Sequence, residues 1–274
     1  SVVATTTQVG DLAREVAGDR ASVTQILEPN ADPHEYEPRP SDVKAVSGAA
    51  VVLRSGGDLD EWLADVLENA GNDAQALTLV DSVRTRRLSG DVDPHWWQDP
   101  RNGVIAVTKI REALIAADAE GRDAYAANAG AYLERLRALD TAIQTCIDAV
   151  PEQDRKLVTD HDALGYYAER YGIEVIGTVI PALSTQAQAS AGEVARLART
   201  IRSEHVEAVF AESSVNRKLV EAIARDSGAK VGPNLFADTL GPAGSPGETY
   251  VGSLRANTRA IVAGFTGGKQ RCRL

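Results

Sequence analysis

YAANAGAYLERLRALDTAIQTCIDAVP, residues 125–151, is the stretch on which the fold turns. Tyr125, Ala129, Tyr132, Leu136, Leu139, Ile143 and Ile147 recur every three or four positions, the spacing of one apolar helical face. No glycine follows Gly130 and no proline precedes Pro151. A helix of about 27 residues spans ~40 Å, longer than one small domain needs. Such a stripe ordinarily packs as core on a single lobe. Here it lies between two similar halves, which favours a rigid connecting strut over residues 123–150.

Working outward, residues 1–122 alternate short β-like runs with helical ones. Val2 to Thr5, Val23 to Leu27, Ala49 to Leu53 and Ala76 to Val80 read as strands. Between them, Val9 to Ala17 is helical and stops at Gly18, Ser41-Asp42 caps a helix with Val43 and Val46, and Trp62 to Leu67 is a helix closed at Gly71. Residues 151–274 repeat the plan. Lys156 to Thr159, Glu174 to Ile180, Val206 to Ala211 and Lys230 to Phe236 read as strands. The helices are marked by Leu164, Tyr167 and Ala168, by Val194, Leu197 and Ile201, and by Leu219, Ala222 and Ile223, with Tyr250 to Phe265 as the last. Thr5 and Gly18 stand at one constant offset from Thr159 and Gly172. Strands alternating with helices mean βαβ units and a largely parallel sheet, so the chain reads as two copies of one α/β unit.

Composition narrows the function. The 274 residues suffice for about two domains. Against 39 Asp and Glu stand 29 Lys and Arg, a net charge of −10, which excludes a nucleic-acid binder because phosphates require clustered cations. No apolar run approaches the ~20 residues of a membrane span. Methionine is absent even at position 1, as expected of an exported chain that has lost its leader.

Only four histidines occur. In parallel α/β sheets ligands bind beyond the carboxyl ends of strands, and three of the four fall there. His34 lies in Asp32-Pro33-His34-Glu35-Tyr36-Glu37-Pro38, after the second strand. His95 lies in Asp93-Pro94-His95-Trp96-Trp97-Gln98-Asp99-Pro100, after the fourth, and His161 directly follows Thr159-Asp160. Asp238, in Phe236-Ala237-Asp238-Thr239, follows the last strand of the second half. A single loop histidine is ordinarily a surface group, and an aspartate a turn residue. Their coincidence at strand ends instead suggests a four-coordinate metal site in the cleft between the lobes. His205, at a helix-to-strand junction, reads as a solvated bystander.

These segments resemble the zinc- and manganese-binding family of solute-binding proteins that feed ABC importers. Gly56-Gly57 before Leu59, Glu61, Trp62 and Leu63, and Leu183-Ser184-Thr185 before a Ser190 helix cap, are similar as well. The resemblance covers almost the whole chain. It implies two (β/α)4 lobes, residues 1–122 and 151–274, joined by one long helix, with one ion held by His34, His95, His161 and Asp238. It further implies an extracytoplasmic carrier, not an enzyme, whose partners are an importer permease and its ATPase, with a metallochaperone as a further candidate. A monomer is expected.

Three imidazoles and one carboxylate suit tetrahedral Zn²⁺, whereas Mn²⁺ prefers more oxygen ligands, so zinc is the expected cargo and manganese the alternative. The stretch from Arg84 to Val92 contains no histidine, a departure from zinc-uptake members with a His-rich loop there. Of a different class is a zinc hydrolase with three protein ligands and an open aquo position, in which Glu212 could act as general base. Against it, the chain has no His-Glu-x-x-His pair. Cys146 and Cys272, the only cysteines, are expected to form a disulfide in an exported protein. Asp160, Glu35 and Asp99 lie near the histidines and are expected to cap turns, and Trp96-Trp97 to anchor the loop of His95.

Overall fold

The computed structural model describes residues 1–71 and 74–274. The chain forms two compact units, Ser1–Ala138 and Leu139–Leu274. In the first, β1 (Val2–Ala4), α1 (Thr7–Ala17), β2 (Val23–Gln25), α2 (Pro40–Ser47), β3 (Val51–Arg54), α3 (Leu63–Ala70) and β4 (Gln75–Thr78) follow in order. The strands form one parallel sheet ordered β2-β1-β3-β4. Val2, Val3, Val51, Val52 and Leu53 are buried. Such continuous apolar strands are what a parallel sheet covered on both faces demands, and each fully buried Val or Leu contributes about 1.5–3 kcal/mol.

Three features here differ from the sequence reading. Helix α2 begins at Pro40, ahead of the expected Ser41-Asp42 cap. Asp42 works from inside the first turn, its Oδ2 accepting the Arg39 N–H at 2.7 Å. After β4 comes a hairpin, β5 (Arg87–Leu88) and β6 (Asp91–Val92), turning through Ser89 and Gly90, both at positive φ. Then follows α4 (Pro100–Ala117), a helix the reading passed over. Its start has a common form, with Asp99 as N-cap and Pro100 in the first turn.

The two units divide inside α5 (Arg122–Asp148). All seven residues of its expected stripe, Tyr125 to Ile147, are buried. Toward its start the Asn128 amide donates to Val16 O at 3.1 Å; toward its end Asp140 takes a two-pronged contact from Arg170 at 3.0 and 2.8 Å.

The second unit continues with β7 (Lys156–Thr159), α6 (Gly165–Tyr171), β8 (Glu174–Thr178), α7 (Ala191–Ser203), β9 (Ala208–Val209), α8 (Lys218–Ser227), β10 (Lys230–Val231) and α9 (Tyr250–Phe265). β7 pairs with β8, and β9 with β10, all parallel. A backbone bond from Phe210 N–H to Val158 O, 3.0 Å, joins the two pairs. A bridge between Glu212 and Leu235 prolongs the second pair beyond the regular strands. Ser190 caps α7 in a reciprocal box with Glu193. On α8 the buried face is Val220, Ile223 and Ala224, while Leu219, expected to face the core, is 37% exposed. Cys146 and Cys272 form the expected disulfide, with Cα atoms 5.6 Å apart. Among the described residues no helix is long and apolar enough to cross a membrane.

Candidate metal centre

Each unit brings together two of the four expected ligands. In the first, Asp32-Pro33-His34 and Asp93-Pro94-His95 fold into the same turn. The His34 N–H donates to Asp32 Oδ1 at 2.9 Å, and the His95 N–H to Asp93 Oδ1 at 3.0 Å. Such an Asx turn uses the aspartate to close the backbone two residues on, and the proline fixes φ between them. The two imidazoles face one another with centroids 5.6 Å apart, tilted by 57°. His34 is half-buried and His95 fully buried.

Asp93 also accepts from His95 Nδ1 at 2.7 Å and from Arg86 Nη1 at 2.5 Å. Burial alone would raise its pKa; the charge and hydrogen bonds of His95, with the Arg86 contact, outweigh that and hold the carboxyl below its ordinary value. The bond to Nδ1 directs Nε2 of His95 away from Asp93, the arrangement by which a carboxylate orients a metal-binding imidazole.

The His95 turn is braced from behind. Trp96 is fully buried, and its Nε1 donates to Ser55 Oγ at 3.1 Å. The Ser55 N–H donates to Asp60 Oδ2 at 2.6 Å, where Thr5 Oγ1 also donates at 2.6 Å. Gly57 lies beside Pro94 at φ 71°, and a Cβ there would come within 2.7 Å of the proline ring, so only glycine allows the approach. Trp97 packs edge-on to His95, centroids 5.6 Å apart.

In the second unit His161 leaves the carboxyl end of β7, and its carbonyl accepts from Thr159 Oγ1 at 3.0 Å. Its Nδ1 donates to Glu212 Oε1 at 2.8 Å, and its Nε2 lies 3.3 Å from Asp238 Oδ2. His161, Glu212 and Asp238 are all buried. Burial lowers the histidine's pKa, but the Glu212 and Asp238 carboxylates more than reverse it, leaving the ring raised well above its ordinary value.

Of the two orienting carboxylates, the sequence reading did not assign Asp93. It read Glu212 as a candidate general base or, in preference, a structural carboxylate bonding loop amides, without foreseeing its bond to the His161 ring. Asp93 was readable, since it lies in the same motif as His95. Glu212 is 51 residues from His161, and only the parallel pairing of the strands brings the two together. Asp99 does cap a turn, as expected: its Oδ1 accepts the Arg101 N–H at 2.9 Å. His205 is exposed, away from both donor pairs in sequence and at φ 54°.

Comparison with known proteins identifies the family. The chain is 34% identical over 260 residues to the manganese-binding lipoprotein MntA of Halalkalibacterium halodurans, covering 94% of this chain and 86% of the relative. It is 29% identical over 275 residues to the iron ABC transporter substrate-binding lipoprotein MtsA of Streptococcus pyogenes serotype M1, covering 96% and 88%. The solved structure of the periplasmic zinc-binding protein TroA from Treponema pallidum superposes with a TM-score of 0.90 at 28% identity, covering 96% of this chain and 98% of that one. The family model described as zinc-uptake complex component A, periplasmic, matches residues 2–264, and the chain belongs to that family of metal-binding solute receptors of ABC importers.

Proposed function

We propose that the chain captures one Zn²⁺ as cargo through His34, His95, His161 and Asp238 and delivers it, outside the cytoplasm, to the permease of an ABC importer powered by its ATPase. One observation supports this most directly: in each unit a buried carboxylate binds Nδ1 of a histidine, at 2.7 Å from Asp93 and 2.8 Å from Glu212. That leaves Nε2 as the donor and fixes ring orientation before the ion arrives. Three nitrogens and one oxygen complete the tetrahedral set that Zn²⁺ favours.

Members of the family are solute-binding proteins and not enzymes, which overturns the zinc-hydrolase alternative. Glu212 is no general base here; its Oε1 accepts from a histidine. The relatives' names point to other cargoes, manganese for MntA and iron for MtsA; manganese is the alternative weighed against zinc.

Elemental analysis of the purified protein, followed by competition titration of metal-free wild type and His161→Ala with Zn²⁺ and Mn²⁺, separates the two. Zn²⁺ is expected to bind tighter than Mn²⁺, with His161→Ala losing more Zn²⁺ affinity than the roughly 10–100-fold that an outer-sphere change costs. Tight Mn²⁺ with weak Zn²⁺ would reverse the cargo assignment, and an unchanged affinity in His161→Ala would remove that ligand.

A further inference from the structure

We propose that Asn102 and Asn257 are equivalent positioning residues, one in each unit, each holding the segment that carries a metal donor. The inference rests on the ligand set proposed above. Asn257 sits on α9 and is 1% exposed. Its Oδ1 accepts the Phe236 N–H at 2.8 Å, and its Nδ2 donates to Phe236 O at 2.8 Å. The side-chain amide therefore pairs with one residue's backbone as a neighbouring strand would, just past the point where regular strand pairing ends. Asp238 follows two residues later.

The ring of Phe236 is gripped too. A Cβ on Gly247 would fall 2.4 Å from the ring, and one on Gly241 would fall 2.7 Å from it. The Gly241 N–H bonds Gly247 O at 2.8 Å, closing that loop. Backbone and ring are thus both held immediately before the ligand.

The first unit uses the same device. Asn102 on α4 is fully buried. Its Oδ1 accepts the Arg84 N–H at 3.0 Å, and its Nδ2 donates to Arg84 O at 3.0 Å and to Trp96 O at 3.1 Å. Arg84 opens the segment that leads through the β5–β6 hairpin to His95, and Trp96 follows His95 directly. Both helices come after the fourth strand of their unit and after its second donor, so the two asparagines occupy corresponding places. A buried amide bonded through both its oxygen and its nitrogen is costly to replace. Here every bond goes to backbone: to Trp96, next to His95, to Phe236, two residues before Asp238, and to Arg84, at the start of the segment leading to His95.

Position of a donor is read by the coordination it gives, so the experiment uses Co²⁺ as a coloured stand-in for Zn²⁺. Wild type, Asn102→Ala, Asn257→Ala and the control Thr258→Val are loaded with Co²⁺, their visible d–d spectra recorded, and Zn²⁺ affinity measured by competition. Thr258 lies beside Asn257 on α9, and its Oγ1 is 2.7 Å from the Tyr167 hydroxyl, away from either donor. Both asparagine variants are expected to show a changed d–d band and roughly 10–100-fold weaker Zn²⁺ binding, while Thr258→Val loses thermal stability only. Asparagine variants with the wild-type spectrum and affinity, melting lower like the control, would overturn the proposal. If an alanine variant is unfolded by circular dichroism, Asn→Asp at the same position replaces it under the same criteria, because it keeps the acceptor and loses the donor. Wild type that binds neither Co²⁺ nor Zn²⁺ would defeat the metal-capture reading instead, a separate result.

Discussion

The two units present their candidate donors by different means. The first builds both on local turns: the aspartate that closes each turn is two residues from its histidine, and the unit has one continuous four-stranded sheet. The second holds His161 by a carboxylate 51 residues away, on a sheet of two short parallel pairs, and is stapled by a disulfide. Their charges differ as well. Asp93 shares itself between His95 and Arg86, whereas His161 stands between two carboxylates, Glu212 and Asp238. The contrast teaches that a donor can be placed by its immediate sequence or by the integrity of the whole unit, and that only the second kind is exposed to global loosening.

The largest effect expected follows from the staple. Replacing Cys146 and Cys272 by serine opens a closure 126 residues long, and the chain-entropy model assigns such a link about 4–5 kcal/mol. Denaturant unfolding should show that loss, and hydrogen exchange should place it in residues 139–274. Equal opening of both units would break the distinction between them.

Next come the orienting carboxylates. Asp93→Asn and Glu212→Gln should each weaken Zn²⁺ binding within the roughly 10–100-fold range of such outer partners. Asp93→Asn is expected at the upper end, because it removes a negative charge beside the candidate donors while the Arg86 guanidinium stays near them. Glu212→Gln also removes one of the groups that hold a proton on His161, which offsets part of its loss. A larger loss in Glu212→Gln, by calorimetry or competition, would invert the ranking.

Smallest, per pH unit, is the effect of acidification. The folded pKa of His161 lies above its ordinary 6.5, so in the metal-free protein protonation stabilises the fold. That contribution is fully present below the unfolded value and is lost as pH rises through the folded one. The ion must displace this proton, so between about pH 8 and 6 Zn²⁺ affinity should fall by up to about tenfold per unit. Glu212→Gln should flatten that slope. A flat profile in wild type would contradict the asymmetry of charge.

How much of this was legible in the sequence follows the same divide. Helix α9 and the stripe of α5 were readable because an apolar period and a glycine or proline boundary are local signals. The order of strands and helices was readable from their alternation. Helix α8 was placed correctly but with its face turned by one residue, since Leu219 and Val220 are equally apolar and only packing decides between them. Helix α4 was passed over although Asp99-Pro100 opens it and Ala106, Val107, Ile110 and Leu114 are its buried face. The three histidines and the aspartate at strand ends were readable as candidate ligands, aided by the family resemblance. Asn102 and Asn257 were not visible, and Glu212 was visible only as a carboxylate without its histidine partner, because their partners are backbone atoms or side chains made neighbours by the fold, and no periodicity marks them.

The Asp-Pro-His turn has one further consequence. Three consecutive residues supply the imidazole, its backbone closure and, at Asp93, the brace on its ring. Nothing in that arrangement depends on which strand precedes it, and this chain uses it once after a parallel strand and once after a hairpin. The turn is a local device that this chain places at two different strand ends, while what packs behind it at His95, including Ser55 and Gly57, comes from elsewhere in the unit.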